Sequence, residues 1–288
     1  MKTYLQCIPC FVKQALRAGS MATNDDREIK TLMDHIGCRI QDISLGDTPP
    51  EMGLIIYDEI HKITGISDPY EKEKKAHIKE AKRLYPELKK RLVAANDSLL
   101  MAIRIIIAGN VMDLGMDKQF HVEKDLKHIL QKEFAICDYE EFKKVLKNAK
   151  NILYLGDNSG ESVFDKILIE TMGKPMTYVV RDKPIINDVT IKDAIESDLD
   201  EVAEIISSGS PAPATILKLC SDDFLERFEK ADLIISKGQG NYEGLSETDK
   251  PVFFLLKAKC PVIADDIGVN EDDIVLLSAQ KTSKEISS

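Results

Sequence analysis

Tryptophan is absent from this 288-residue chain, aromatic residues make up only 6% of it, and no uninterrupted apolar run approaches the roughly 18 residues that a membrane-spanning helix needs. No membrane partner is expected. The opening Met1-Lys2-Thr3-Tyr4-Leu5-Gln6-Cys7 has no apolar stretch of signal-peptide length, so the expected location is the cytoplasm. Positive charge is also in deficit, with 39 Lys and Arg against 49 Asp and Glu, and the basic residues are interleaved with acidic ones, as in Glu71-Lys72-Glu73-Lys74-Lys75. A net charge of -10 argues against a nucleic-acid partner held through phosphates. The five histidines all fall in the first 128 residues, so a histidine-centred site in the later half is excluded. Six cysteines are too few for a disulfide framework at this length. Only Cys7 and Cys10 are close together; Cys38, Cys137, Cys220 and Cys260 are expected to be buried packing residues.

An apolar content of 43% is that of a globular protein long enough for a large core or two domains. Residues 1–148 read as helical almost throughout, with apolar positions at helical spacing over 11–18, 29–43, 52–63, 70–93 and 98–108. This part is expected to be a helical domain or cap. Its charge-rich segment 70–93 reads as a solvated helix face. From residue 149 to 288 the pattern changes to short apolar runs, 152–155, 176–180, 202–206, 233–236, 252–256, 262–264 and 274–277, most of them separated by helix-sized intervals. Such alternation predicts an α/β domain, Rossmann-like, with a mainly parallel sheet covered on both faces.

In open α/β sheets ligands bind beyond the carboxyl ends of the strands, so residues that follow several runs should converge. Gly156-Asp157-Asn158-Ser159-Gly160-Glu161 follows the first run, and Asp188 lies 31 residues beyond Asp157, about one strand-helix-strand unit. Two carboxylates and an amide oxygen form a hard donor set suited to Mg²⁺ or Mn²⁺. Asp182 and Asp193 compete for the third position. Each acidic residue also has a plain reading as a turn or helix cap. Lys237-Gly238-Gln239-Gly240-Asn241 follows the 233–236 run and offers a lysine and accessible backbone N–H groups to a phosphate, or is only a glycine turn. Gly209-Ser210-Pro211 lines the pocket or merely connects; Gly109-Asn110 reads locally as a helix C-cap. Cys7-Ile8-Pro9-Cys10 has the spacing of metal-binding or redox cysteines, but it opens a helix and has no second pair. It is expected to lie away from the chemistry.

Cys7-x-x-Cys10, Gly109-Asn110-x-x-Asp113, Gly156-Asp157-Asn158-x-Gly160-Glu161, Asn187-Asp188-Val189-Thr190, Gly209-Ser210 and Lys237-Gly238-x-Gly240-Asn241 occur in order over nearly the whole chain. Together they resemble the damage-control phosphatases, and the N-terminal cysteine pair resembles their stand-alone prokaryotic branch. The resemblance implies a helical domain on a Rossmann-like domain, a divalent cation (Mn²⁺, Mg²⁺, Ni²⁺ or Co²⁺) on Asp157, Asn158 and Asp188, and a phosphate pocket to which Lys237 belongs. Asn110, Ser210 and Gly238 are further candidates for phosphate contact. The implied activity is hydrolysis of phosphate esters of small metabolites, sugar phosphates or damaged nucleotide-type compounds, with Asp157 and Lys237 as catalytic residues. Water or Asp157 itself is the nucleophile; the Asp-x-Asp pair of haloacid-dehalogenase enzymes is absent, since Ser159 stands at its second position. Two other readings are an S-adenosylmethionine-dependent methyltransferase, for which the Gly-x-Gly-x-Gly loop is missing, and a non-catalytic nucleotide- or metal-binding protein.

Overall fold

The computed structural model describes residues 1–109 and 130–279. Five helices come first: α1 (Cys7–Ala22), α2 (Asp26–Arg39), α3 (Pro49–Thr64), α4 (Glu71–Val93) and α5 (Ser98–Gly109). Then strands and helices alternate: β1 (Phe134–Cys137), α6 (Tyr139–Asn148), β2 (Ile152–Leu155), α7 (Ser162–Met172), β3 (Thr177–Val180), α8 (Ile191–Glu196), β4 (Glu204–Ser207), α9 (Asp222–Lys230), β5 (Leu233–Lys237), α10 (Gly238–Leu245), β6 (Val252–Lys257), α11 (Pro261–Ile267) and β7 (Ile274–Ser278). The seven strands form one sheet in the order β1-β7-β6-β5-β2-β3-β4. Five of them, β6-β5-β2-β3-β4, run parallel; β7 pairs antiparallel with β6, and β1 follows β7. No helix among the described residues is long and apolar enough to cross a membrane.

Strand order reverses at β2, which has β3 and β4 on one side and β5 and β6 on the other. That gap is where a doubly wound sheet leaves a crevice at its carboxyl edge. The register brings the two strand ends level, with Leu155 opposite Ser236 on β5 and Val179 on β3. All four residues of β2 and all five of β5 are buried, because helices cover both faces.

The helical part divides. α1, α2 and α3 share a core around Phe11, Leu32, Ile36 and Ile56, whereas α4 and α5 join the core of the sheet. Ile103, Ile105, Ile106 and Ile107 are fully buried, as befits a helix packed between β6, α4 and α7, and Arg104 reaches out to the Lys132 carbonyl. Three expectations need correction. Phe134–Cys137 is a strand inside the range read as helical; at four residues, with charged neighbours, it has too little alternation to announce itself. Residues 262–264 lie in helix α11, where Pro261 occupies the first turn and Gly268 closes the end with φ 81°. The charged face of α4 is not wholly solvated, since Lys74 is buried between Asp68 (2.8 Å) and Asp193 (2.9 Å).

Candidate metal and phosphate site

The loops after β2 and β3 are laced together by their backbones. Val189 N donates to Asp157 O at 2.8 Å, Ser159 N to Asn187 O at 2.9 Å, and Ser159 Oγ to Asp188 O at 3.1 Å. Asn158 and Asp188 face each other as an isolated antiparallel bridge. Gly156 makes the approach possible, since a Cβ there would lie 2.6 Å from the Tyr178 hydroxyl and 2.8 Å from Val189. Ile186, just before Asn187, holds φ 46°, a left-handed conformation unusual for a β-branched residue and a local strain at the wall of the site.

Asp157, Asn158 and Asp188 therefore meet at the carboxyl edge, and all three line one cavity of about 330 Å³. The Asn158 amide is oriented by its donors: Nδ2 gives its hydrogens to Asp157 Oδ2 (3.1 Å) and Glu161 Oε1 (2.6 Å). Both partners are carboxylates, so the amide cannot be reversed, and Oδ1 is left with no hydrogen bond to a described residue. Asp188 is held by the fully buried Arg181, whose Nε donates to Oδ2 at 2.8 Å. Arg181 is itself anchored on Asn241 Oδ1 (2.9 Å), and Asn241 donates to Gly156 O (3.0 Å) and Lys237 O (2.9 Å). An outward amide oxygen beside two carboxylates is a donor set that fits a hard divalent cation with waters completing its shell. Among the described residues no three His, Cys, Asp or Glu side chains gather as a metal cage, so the amide is integral to this fit.

Lys237 lies one layer behind the cavity. It is fully buried, and its ammonium donates to Glu161 Oε2 (2.9 Å) and Asp165 Oδ1 (2.9 Å). Burial works against the charge, but Asp165 and Glu161 prevail and hold its pKa above the ordinary lysine value. Tyr154 and Tyr178 donate to the two Asp165 oxygens at 2.7 Å each, and burial together with Asp165 keeps both phenols protonated. Glu161 thus links the lysine to the Asn158 amide.

Gly238, at the head of α10, has φ 78°, and a Cβ there would fall 1.9 Å from Asp157 Oδ2. The Asp157 carboxylate rests against that backbone, which only glycine permits. Ser210 is buried, with its Oγ accepting from Ala212 N (3.3 Å), and it does not line the cavity. Asn110 lies outside the described residues. The competing acids are occupied elsewhere: Asp193 forms a capping box with Thr190 and binds Lys74, and Asp182 accepts from Ser207 Oγ. A larger groove of about 560 Å³ sits at the opposite, amino ends of β2, β3 and β4, away from all these residues.

The profile of the damage-control phosphatase ARMT1-like domain matches residues 3–275. The chain belongs to this family. A damage-control phosphatase of Pyrococcus horikoshii is 34% identical over 284 residues, covering 96% of this chain and 98% of the relative. A damage-control phosphatase of Archaeoglobus fulgidus is 32% identical over 285 residues, with 96% and 98% covered. An uncharacterized protein of Methanocaldococcus jannaschii is 38% identical over 288 residues, with 94% of each chain covered. The crystal structure of a DUF89 family protein from P. horikoshii superposes with a TM-score of 0.89 at 32% identity, covering 97% of this chain and 99% of that one.

In this damage-control phosphatase family member the cysteine pair is not remote from the site. Cys7 heads α1, and Cys7, Cys10 and Cys260 line the same cavity as Asp157, Asn158 and Asp188. Distance in sequence suggested otherwise, but α1 folds back over the carboxyl edge. All six cysteines are free thiols and none is fully buried; of the four expected to be packing residues, Cys38 and Cys137 are exposed, whereas Cys220 and Cys260 are half-buried against the core of the sheet. Desolvation raises the pKa of Cys7 and Cys10, so both stay neutral thiols near pH 7. Wall residues without charge should contribute little to phosphoryl transfer. The Cys7→Ser, Cys10→Ser double variant is expected to keep at least about a tenth of kcat, a barrier change of no more than ~1.4 kcal/mol; steady-state assay of the purified variant measures it.

Sequence reasoning assigns no role to Arg181, Glu161, Asp165 or Asn241, although Glu161 and Asn241 stand in the motifs that carry the resemblance. A signal exists for two of them: Glu161 and Asp165, four residues apart, stand at the N-cap and in the first turn of the helix Ser162–Met172. Arg181 carries no comparable local mark.

Proposed function

We propose that the protein is a metal-dependent phosphoric monoester hydrolase acting on small phosphorylated metabolites, with the cation held by Asp157, Asn158 and Asp188. The observation that carries the reading is the fixed Asn158 amide, whose oxygen accepts no hydrogen bond from a described residue on a cavity that Asp157 and Asp188 also line. When bound, a divalent cation supplies Lewis-acid polarisation of a phosphoryl oxygen. The chain's own residues do the rest. Arg181 fixes the Asp188 carboxylate, Glu161 fixes Asn158, and Lys237 neutralises the Glu161 and Asp165 pair, so that the donors need no reorganisation during the reaction. In this account Lys237 contributes its charge from behind the donor layer. Ser210 is a backbone-ordering residue, and Gly238 at the head of α10 backs the Asp157 carboxylate. A cavity of about 330 Å³ suits a compact substrate such as a sugar phosphate.

A panel of sugar and nucleotide phosphates, assayed with Mn²⁺, Mg²⁺, Ni²⁺ and Co²⁺ and again after chelation, tests the reading. Phosphate release that chelation abolishes and added cation restores is the expected result; release indifferent to chelation contradicts it.

A further inference from the structure

Cleavage of an alkyl phosphate expels an alkoxide, which needs a proton as the P–O bond breaks. The strand-end loop has no acid to give it two residues beyond Asp157, where Ser159 stands with its hydroxyl bonded to Asp188 O. Another carboxyl faces the cavity from α10. Gly238 places the head of that helix against Asp157, and Glu243 follows five residues on, about 7.5 Å along the axis. Glu243 lines the same cavity as Asp157, Asn158 and Asp188.

Its carboxyl is held at one end only. Gln239 Nε2 donates to Glu243 Oε1 at 3.0 Å, and Gln239 is itself fixed because its Oε1 accepts from Lys259 N at 3.1 Å. Oε2 accepts no hydrogen bond from a described residue. That combination, one oxygen clamped and the other without a hydrogen bond from a described residue on a side chain that lines the cavity, is the geometry of a positioned acid.

We propose that Glu243 is the general acid of the reaction, donating its proton to the oxygen of the departing alcohol. The inference rests on the phosphate-ester reading above. As the incoming oxygen bonds to phosphorus, the P–O bond to the alcohol breaks and its electron pair stays on the alcohol oxygen, which takes the Glu243 proton. The water consumed releases a proton, and the Glu243 carboxylate takes it up, so the enzyme returns to its starting state. Burial pushes the Glu243 pKa up to about 7, which keeps a proton available at neutral pH. The groups facing it act in both directions, and burial outweighs them. The Met1 amino group favours the ionised form, Asp266 of α11 opposes it, Lys259 stands on the cavity wall, and the Cys7, Cys10 and Cys260 side chains line the same wall.

Two phosphate esters separate this role from a structural one. p-Nitrophenyl phosphate leaves as a stable anion and needs little protonation, whereas glycerol phosphate leaves as an alkoxide. With Mn²⁺ present, Glu243→Gln, which keeps the contact to Gln239, is expected to lose on the order of 10²-fold in kcat/KM on glycerol phosphate and less than about tenfold on p-nitrophenyl phosphate. Equal losses on the two esters, or none, overturn the assignment. A wild-type protein that hydrolyses neither ester with any cation overturns the phosphatase reading, and the general acid with it. The metal-free protein gives a readout independent of turnover. A carboxyl whose native pKa lies above its unfolded value stabilises the fold less as pH rises between the two, so the wild-type melting temperature should fall relative to that of Glu243→Gln from about pH 5 to about pH 7. A difference that stays flat over that range overturns the proposal. Should the variant fail to fold, the wild-type pH profiles decide. kcat/KM for glycerol phosphate should decline above about pH 7 while that for p-nitrophenyl phosphate does not, and parallel profiles count against Glu243.

Discussion

Lys237→Met is expected to lower the stability of the fold by about 3–5 kcal/mol, because it leaves Glu161 and Asp165 buried without their cation. Methionine keeps most of the length and the apolar stem, so the loss is one of charge rather than packing. Activity should fall as well, by on the order of 10²-fold in kcat/KM, since the Glu161 carboxylate that orients Asn158 is no longer held. Denaturant titration and steady-state kinetics on the same preparation measure both quantities. The two are linked in this account: a variant that is destabilised yet turns over normally would detach the lysine from the donor layer. A variant with wild-type stability would contradict the buried ion pairs themselves. Because the lysine pKa is raised, its stabilising contribution is complete at neutral pH and declines only in strongly alkaline solution.

Asp157→Asn should abolish metal-induced thermal stabilisation, and Asp188→Asn should do the same. Wild-type protein at a cation concentration 100 times Kd should gain about 2.7 kcal/mol from preferential binding to the native state. Removing one of two carboxylates from a site with only three protein donors takes away much of the attraction for a divalent cation, so the gain should vanish at the same concentration. Helical content is expected to stay intact, because α1, α2 and α3 have a core of their own around Phe11, Leu32, Ile36 and Ile56. Phosphatase activity should then track occupancy. Differential scanning calorimetry with and without Mn²⁺, beside phosphate-release assays at rising Mn²⁺, follows both.

The parallel sheet was legible because β2, β3, β5 and β6 are buried on both faces and read as continuous apolar runs. The convergence of Asp157, Asn158 and Asp188 followed from the same runs, since strand ends of a doubly wound sheet share one edge. What escaped detection depended on contacts distant in sequence. Lys237 has the local marks of a surface phosphate binder, and only the ion pairs it makes 76 residues away with Glu161 and 72 residues away with Asp165 draw it into the interior. The cysteine pair looked peripheral for the converse reason: nothing in residues 7 to 10 says which surface α1 will cover. Segment 262–264 was misread because the β-branched Val262 and Ile263 outweighed the Pro261 and Gly268 that bracket a helix of seven. Glu243, four residues after Gln239 on a short helix, looks like an ordinary solvent-facing acid until α1 and the turn before α11 close around it.

The central claim is the position of the cation. Anomalous diffraction from a crystal soaked in Mn²⁺ tests it most directly. The account predicts one strong peak within coordinating distance of Asp157, Asn158 Oδ1 and Asp188 at the carboxyl ends of β2 and β3. A peak at the thiols of Cys7, Cys10 and Cys260, or anywhere else with that trio empty, would contradict it.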